Sequence, residues 1–192
     1  MFKLAEPSMV LNAVDAPSRY KMTNSMDVPA NDTPEHFLGW AAVVAGGMPD
    51  KRLQSLVINC HGYYNGDSKN STGGYGLAIG TGIYRADTVK FTVLKGQVAA
   101  IYITACGAAR ISPPDASGNG DGNLFCCEIA KASGAYVYAG TTQQISNSLP
   151  IYPRGYIANY EGLVLRYAPT GAVDWSRDYG RNLIDGLRWG WN

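Results

Sequence analysis

Two short runs limit what this chain can fold into. Residues 56–62 (LVINCHG) and 99–107 (AAIYITACG) are apolar, of strand length and rich in β-branched side chains. Each stops at a chemically capable residue, His61 in the first and Cys106 in the second, and a glycine follows both. Runs of this kind read as buried strands of a parallel or mixed sheet. In an open α/β sheet, ligands sit at the carboxyl ends of the strands. If the two runs are neighbouring parallel strands, His61 and Cys106 emerge side by side at one edge, as a cysteine nucleophile and its base require. The reading that follows is a cysteine hydrolase acting on peptide bonds.

The rest of the chain supplies helices to cover such a sheet. Residues 31–47 read as a helix, with Asp32 as N-cap, Pro34 in the first turn and Glu35 three residues after Asp32. Phe37, Leu38, Ala41, Val44 and Ala45 recur at helical spacing before Gly46 and Gly47 end it. A second helix is expected over 121–133, capped by Asp121 or Asn123 and stopped by Gly134, with Leu124, Phe125, Cys127 and Ile129 as its apolar face. An edge strand is expected near 9–14, a strand at 135–139, and a hairpin in which 161–167 and 172–175 flank a turn at 169–171. Residues 77–83 and 89–94 read as a short strand and the approach to a helix, and 182–191 as a short terminal helix. The polar, glycine-rich stretch after Gly62 and the breaker-rich 108–122 read as loops, the second long enough to be functional or mobile. Alternating strands and helices predict an α/β fold with a mostly parallel sheet. With no repeat or linker, residues 1–192 read as one domain with its catalytic core at about 32–145.

Composition narrows the partners. A 192-residue chain that is 46% hydrophobic can build a full core without metal or disulfide staples. Sixteen Lys and Arg against fifteen Asp and Glu leave a net charge of +1, which gives no electrostatic case for nucleic acid or an anionic membrane. No run reaches the roughly 18–20 apolar residues of a membrane helix. Glu6 and Pro7 interrupt the N-terminal stretch, so no secretory signal is expected and a cytoplasmic location follows, with signal-independent export still compatible. Cys60, Cys106, Cys126 and Cys127 do not form a disulfide pattern, and the adjacent pair lacks structural-zinc spacing. No metal or cofactor is expected. The glycine-rich run 73–82 lacks the lysine and helix of a phosphate loop.

A thiol with its usual pKa of about 8.5 is mostly protonated at neutral pH, and the thiolate is the nucleophile. A neighbouring imidazole takes the proton and later hands it to the leaving amine. Backbone N–H groups beside a glycine can hold the developing oxyanion, and here these belong to Gly62 and Cys106. Strand alternation turns Cys60 away from His61, toward core packing. Only one of Cys126 and Cys127 can face the sheet. Cys106 as an inert buried thiol, His36 as a surface histidine, and Tyr63, Tyr64 and Tyr75 as ordinary surface tyrosines are the structural alternatives.

A hydrophobic block ending in His-Gly, followed 45 residues later by one ending in Ala-Cys, resembles the caspase-like cysteine peptidases. The resemblance spans roughly residues 50–140. It implies an α/β/α sandwich, a Cys–His dyad and cleavage after a selected side chain of a protein or peptide substrate. On that resemblance His61 is the general base and acid, Cys106 the nucleophile, and Gly62 an oxyanion donor. Gly107, Ala108 and Ala109 follow Cys106 where animal caspases have Arg-Gly, so no aspartate preference is assigned. Arg85, Arg110 and Arg154, or Asp67, Asp115 and Asp121, are open candidates for a substrate pocket. Self-processing in 108–122, and a regulatory protein partner, fit the same picture. The rival functions are a non-catalytic interaction module of this fold, and a transpeptidase or deamidase on the same dyad.

Overall fold

The computed structural model describes residues 1–63, 73–144 and 151–180. Its centre is a seven-stranded mixed sheet built from β1 (Ser8–Ala13), β2 (Asn24–Val28), β3 (Leu53–Asn59), β4 (Val98–Ile103), β5 (Tyr136–Gly140), β6 (Leu163–Tyr167) and β7 (Val173–Asp178). The spatial order is β7-β6-β5-β4-β3-β1-β2. The first five strands are mutually parallel, while β6 and β7 form an antiparallel hairpin at one edge. The expected hairpin is therefore present, closed by Gly171 N–H donating to the Ala168 carbonyl at 2.7 Å. The early strand lies inside the sheet rather than at its edge, and all six of its residues are buried.

Helix α1 (Pro34–Gly46) buries Phe37, Leu38, Ala41 and Ala45, and Gly47 closes it. Thr33 holds the N-cap position, one residue after the expected Asp32. Asp32 instead accepts from the Thr33 N–H at 2.8 Å and pairs with the exposed His36 ring at 2.7 Å. Helix α2 (Gly122–Ser133) starts at Asp121, whose carboxylate accepts from the Asn123 and Leu124 N–H groups, and ends at Gly134. Its inward cysteine is Cys126, not the expected Cys127. Between β3 and β4 the chain forms a two-residue ladder, His61–Gly62 against Leu77–Ala78, and then a 3-10 segment, Arg85–Leu94.

Alternation along the strands makes two cores. Leu11, Leu56, Ile58, Ile101, Ile103, Val137 and Leu165 meet Phe37, Leu38, Phe91, Leu94, Phe125 and Ile129 on the helical face. Val10, Val57 and Val164 meet Leu4, Tyr20, Met22, Tyr152, Ile157 and Tyr160 on the other. The expected α/β class is present, and of the expected α/β/α sandwich the described residues show one helical layer, because all three of their helical segments cover one face. Crossovers between parallel strands are nearly always right-handed, so those stepping the same way across a sheet share a face. The β2–β3, β3–β4 and β4–β5 connections all step one way and carry the helical segments. The β1–β2 connection steps back, and its Tyr20 and Met22 pack on the opposite face. The expected terminal helix at 182–191 lies outside the described residues. No helix among the described residues is long and apolar enough to cross a membrane.

Candidate functional site

Strands β3 and β4 are parallel neighbours in the register Ile58↔Ile103, so the segments that leave them begin level with one another. His61 follows the first and Cys106 the second. The chain order reverses beside them, since β1 turns back to β2 while β3 continues the other way, and ligands collect at such switch points. Both sequence-predicted residues are thus brought to one place, at the carboxyl ends of three adjacent strands.

Buried polar side chains hold these strand ends level. Asn59 donates to the Asn12 side chain at 2.8 Å and to the Ser18 carbonyl at 2.7 Å. Thr104 donates to Asn59 at 3.0 Å, and Asn12 donates to the Tyr20 carbonyl at 3.1 Å. One network therefore spans β1, β3 and the exit of β4. A satisfied buried network of this kind rigidifies what it joins.

The exposed His61 ring places Nε2 3.1 Å from the Asp15 carbonyl oxygen, at the exit of β1. A carbonyl only accepts, so Nε2 carries a hydrogen in this contact, and in the neutral tautomer that makes this bond the lone pair is on Nδ1. Gly62 passes tightly against the Cys106 turn: a Cβ there would overlap the Cys106 carbonyl oxygen. Only glycine fits. Tyr63 donates its N–H to the Gly76 carbonyl at 3.0 Å, and N–H groups alternate along a ladder, so that of Gly62 points the other way. Burial pushes the Cys106 thiol above its ordinary pKa, with the Glu161 charge adding to it, while the main-chain N–H groups of Gln144 and Cys106 pull the other way. The resting group is a neutral thiol. A nearby base is what thiolate chemistry at neutral pH requires of it.

Cys60 and Cys126 are buried in the helical-face core, where burial pushes both thiols up and makes them inert. Of the candidate pocket residues, Arg85, Arg154, Asp115 and Asp121 have side-chain partners in their own surroundings. Arg85 grips Glu128 with Nε at 2.9 Å and Nη2 at 2.6 Å and also donates to the Gly118 carbonyl at 2.8 Å. Arg154 donates to the Met22 and Thr23 carbonyls. Asp115 accepts from Ser117 and Asn119 within its own loop, and Asp121 caps α2. The Arg110 main chain bridges Gly107 and Asn123. Tyr63 stacks on Tyr84 with ring centroids 5.1 Å apart, and Tyr75 bonds to Asp115. Asp67 and Tyr64 lie outside the described residues. Among the described residues, no three or more His, Cys, Asp or Glu side chains converge as metal ligands do.

Sequence reasoning did not reach Asp15, Gln144 or the Asn12–Asn59–Thr104 network. The one available signal was an Asn near the end of each of two apolar strands. Asp15 and Gln144 carry no local signal, because tertiary contact alone gives them their place. No protein-family model matches the chain, and no curated protein matches its sequence.

Proposed function

We propose that this protein is a caspase-like cysteine endopeptidase in which Cys106 is the nucleophile and His61 the general base and acid. One observation carries the reading: His61 and Cys106 leave adjacent parallel strands level with each other, with Gly62 pressed against the Cys106 main chain. Nδ1 of His61 takes the thiol proton, and the sulfur attacks the substrate carbonyl carbon. The developing oxyanion is held by the Gly62 and Cys106 N–H groups. As the C–N bond breaks, the imidazolium returns its proton to the leaving amine. Water, deprotonated by His61, then releases the acyl group from sulfur. The loop after Cys106 borders the groove for a protein or peptide substrate. Four free cysteines support a reducing compartment.

The second reading is a non-catalytic interaction module of the same fold. It is favoured by the half-buried, neutral Cys106 thiol, since such a module needs no thiolate. Iodoacetamide labelling of each cysteine against pH, in wild type and His61→Ala, separates the two. In the peptidase, Cys106 alkylates fastest of the four near neutral pH, and His61→Ala removes that reactivity. Peptide-library digestion then yields new chain ends with wild type and none with Cys106→Ala. If Cys106 behaves as an ordinary or buried thiol and is indifferent to His61, the module reading stands. Ligated products or released ammonia would redirect the assignment to a transpeptidase or a deamidase.

A further inference from the structure

Gln144 follows β5 by four residues and meets Cys106 through its main chain. Its N–H donates to Cys106 Sγ at 3.3 Å, and its carbonyl accepts from the same sulfur at 3.4 Å. The side chain of Gln144 is bound with equal care. Its Oε1 accepts from the Glu161 N–H at 2.9 Å, and its Nε2 donates to the Glu161 carbonyl at 3.0 Å and the Thr142 carbonyl at 3.0 Å. The primary amide thus pairs with both main-chain groups of one residue, as a neighbouring strand would. Thr142 joins the same arrangement, accepting from the Gly107 N–H at 2.7 Å.

We infer that Gln144 is a positioning residue for the nucleophile: its amide, clamped to Glu161, aims its own backbone N–H at Cys106 Sγ and so favours the thiolate. This rests on Cys106 being the nucleophile. The N–H survives as a donor when the sulfur loses its proton, whereas the carbonyl serves only the neutral thiol. Hydrogen bonds to the charged form are the stronger ones, so the balance lies with the thiolate. A second residue reports on the same clamp without touching the sulfur. A Cβ at Gly140 would overlap Nε2 of Gln144, and the obstruction is the end of a side chain rather than backbone.

The test is the pH profile of iodoacetamide labelling at Cys106 in wild type, Gln144→Ala, Gly140→Ala and the double variant, with thermal unfolding as the check on folding. The midpoint of the profile reports the thiol pKa, and its alkaline plateau reports access. Both single variants move the midpoint to higher pH. The double variant moves it no further than Gln144→Ala alone, because the added methyl then has no amide to displace. A midpoint left in place or lowered by Gln144→Ala overturns the proposal, as does a double variant in which the two shifts add. If Gln144→Ala does not fold, Gly140→Ala decides by the same midpoint criterion. These readouts need no peptidase activity. Failure of the endopeptidase reading would show as indifference to His61, and failure of the clamp as indifference to Gln144 and Gly140.

Discussion

At the scale of single residues, two glycines with opposite surroundings make a controlled comparison. Gly62 has no room for a Cβ, because the Cys106 carbonyl occupies the place. Gly39, inside α1, has open space there. Gly62→Ala forces main chain apart at the Cys106 turn, at a cost of about 1–3 kcal/mol, as overpacking does. On the proposed peptidase reading it also displaces an oxyanion donor, and losing one typically lowers turnover by about 100- to 1,000-fold. Gly39→Ala stabilises by about 0.5–1 kcal/mol, because alanine loses less conformational freedom in a helix. Urea midpoints should therefore move in opposite directions, with peptide cleavage lost only in the first.

At the scale of elements, the ends of β1, β3 and β4 are tied by Asn59. Asn59→Ala strips partners from Asn12, Thr104 and the Ser18 carbonyl, all in buried surroundings. Asn12 still accepts from the Tyr20 N–H at 3.2 Å and Thr104 still reaches the Ile58 carbonyl at 3.4 Å, so the lost hydrogen bonds should cost about 1–3 kcal/mol of unfolding free energy by denaturant titration. Asn12 and Thr104 lie beside the strand exits that lead to Asp15 and Cys106. Amide hydrogen exchange should therefore quicken at those exits before it quickens in α2, which packs on the other face. Uniform quickening would mean that the network stabilises the fold without pinning the site.

At the scale of the whole molecule, the buried titratable groups set the alkaline limit. Burial raises Cys60, Cys126, Tyr20, Tyr160 and Tyr167, and it pushes Tyr102 up to about 12. A group whose folded pKa is raised adds stability that is fully present below its unfolded pKa and is lost as pH climbs toward the folded one. Unfolded cysteine titrates near about 8.5 and tyrosine near about 10. Tm should hold steady through neutral pH, begin to fall near pH 9 and fall faster above pH 10. Cys126→Ala should flatten the first part of that fall. A Tm that stays level to pH 11 would remove the claim that these groups remain buried and neutral.

Patterns along the chain determined the local elements. Apolar period and capping residues marked α1 and α2 to within three residues, and Pro169 with Gly171 marked the β6–β7 turn, because these signals act over one or two helical turns. The apolar runs ending in His61 and Cys106 likewise announced strands, which stop at Asn59 and Ile103 just before those two side chains. Their adjacency was a tertiary decision, since it required β3 and β4 to pair in one register across the whole 3-10 connection. The side of the sheet on which these helices lie was decided by crossover handedness, which no local pattern records, and that placed the β1–β2 connection with its Tyr20 on the face opposite them. Asp15, Gln144 and Glu161 are distant from Cys106 in sequence, and their roles exist only as contacts. Side-chain identity sets what each group can do chemically, but chain reversal at the β1–β3 switch point decides which groups meet.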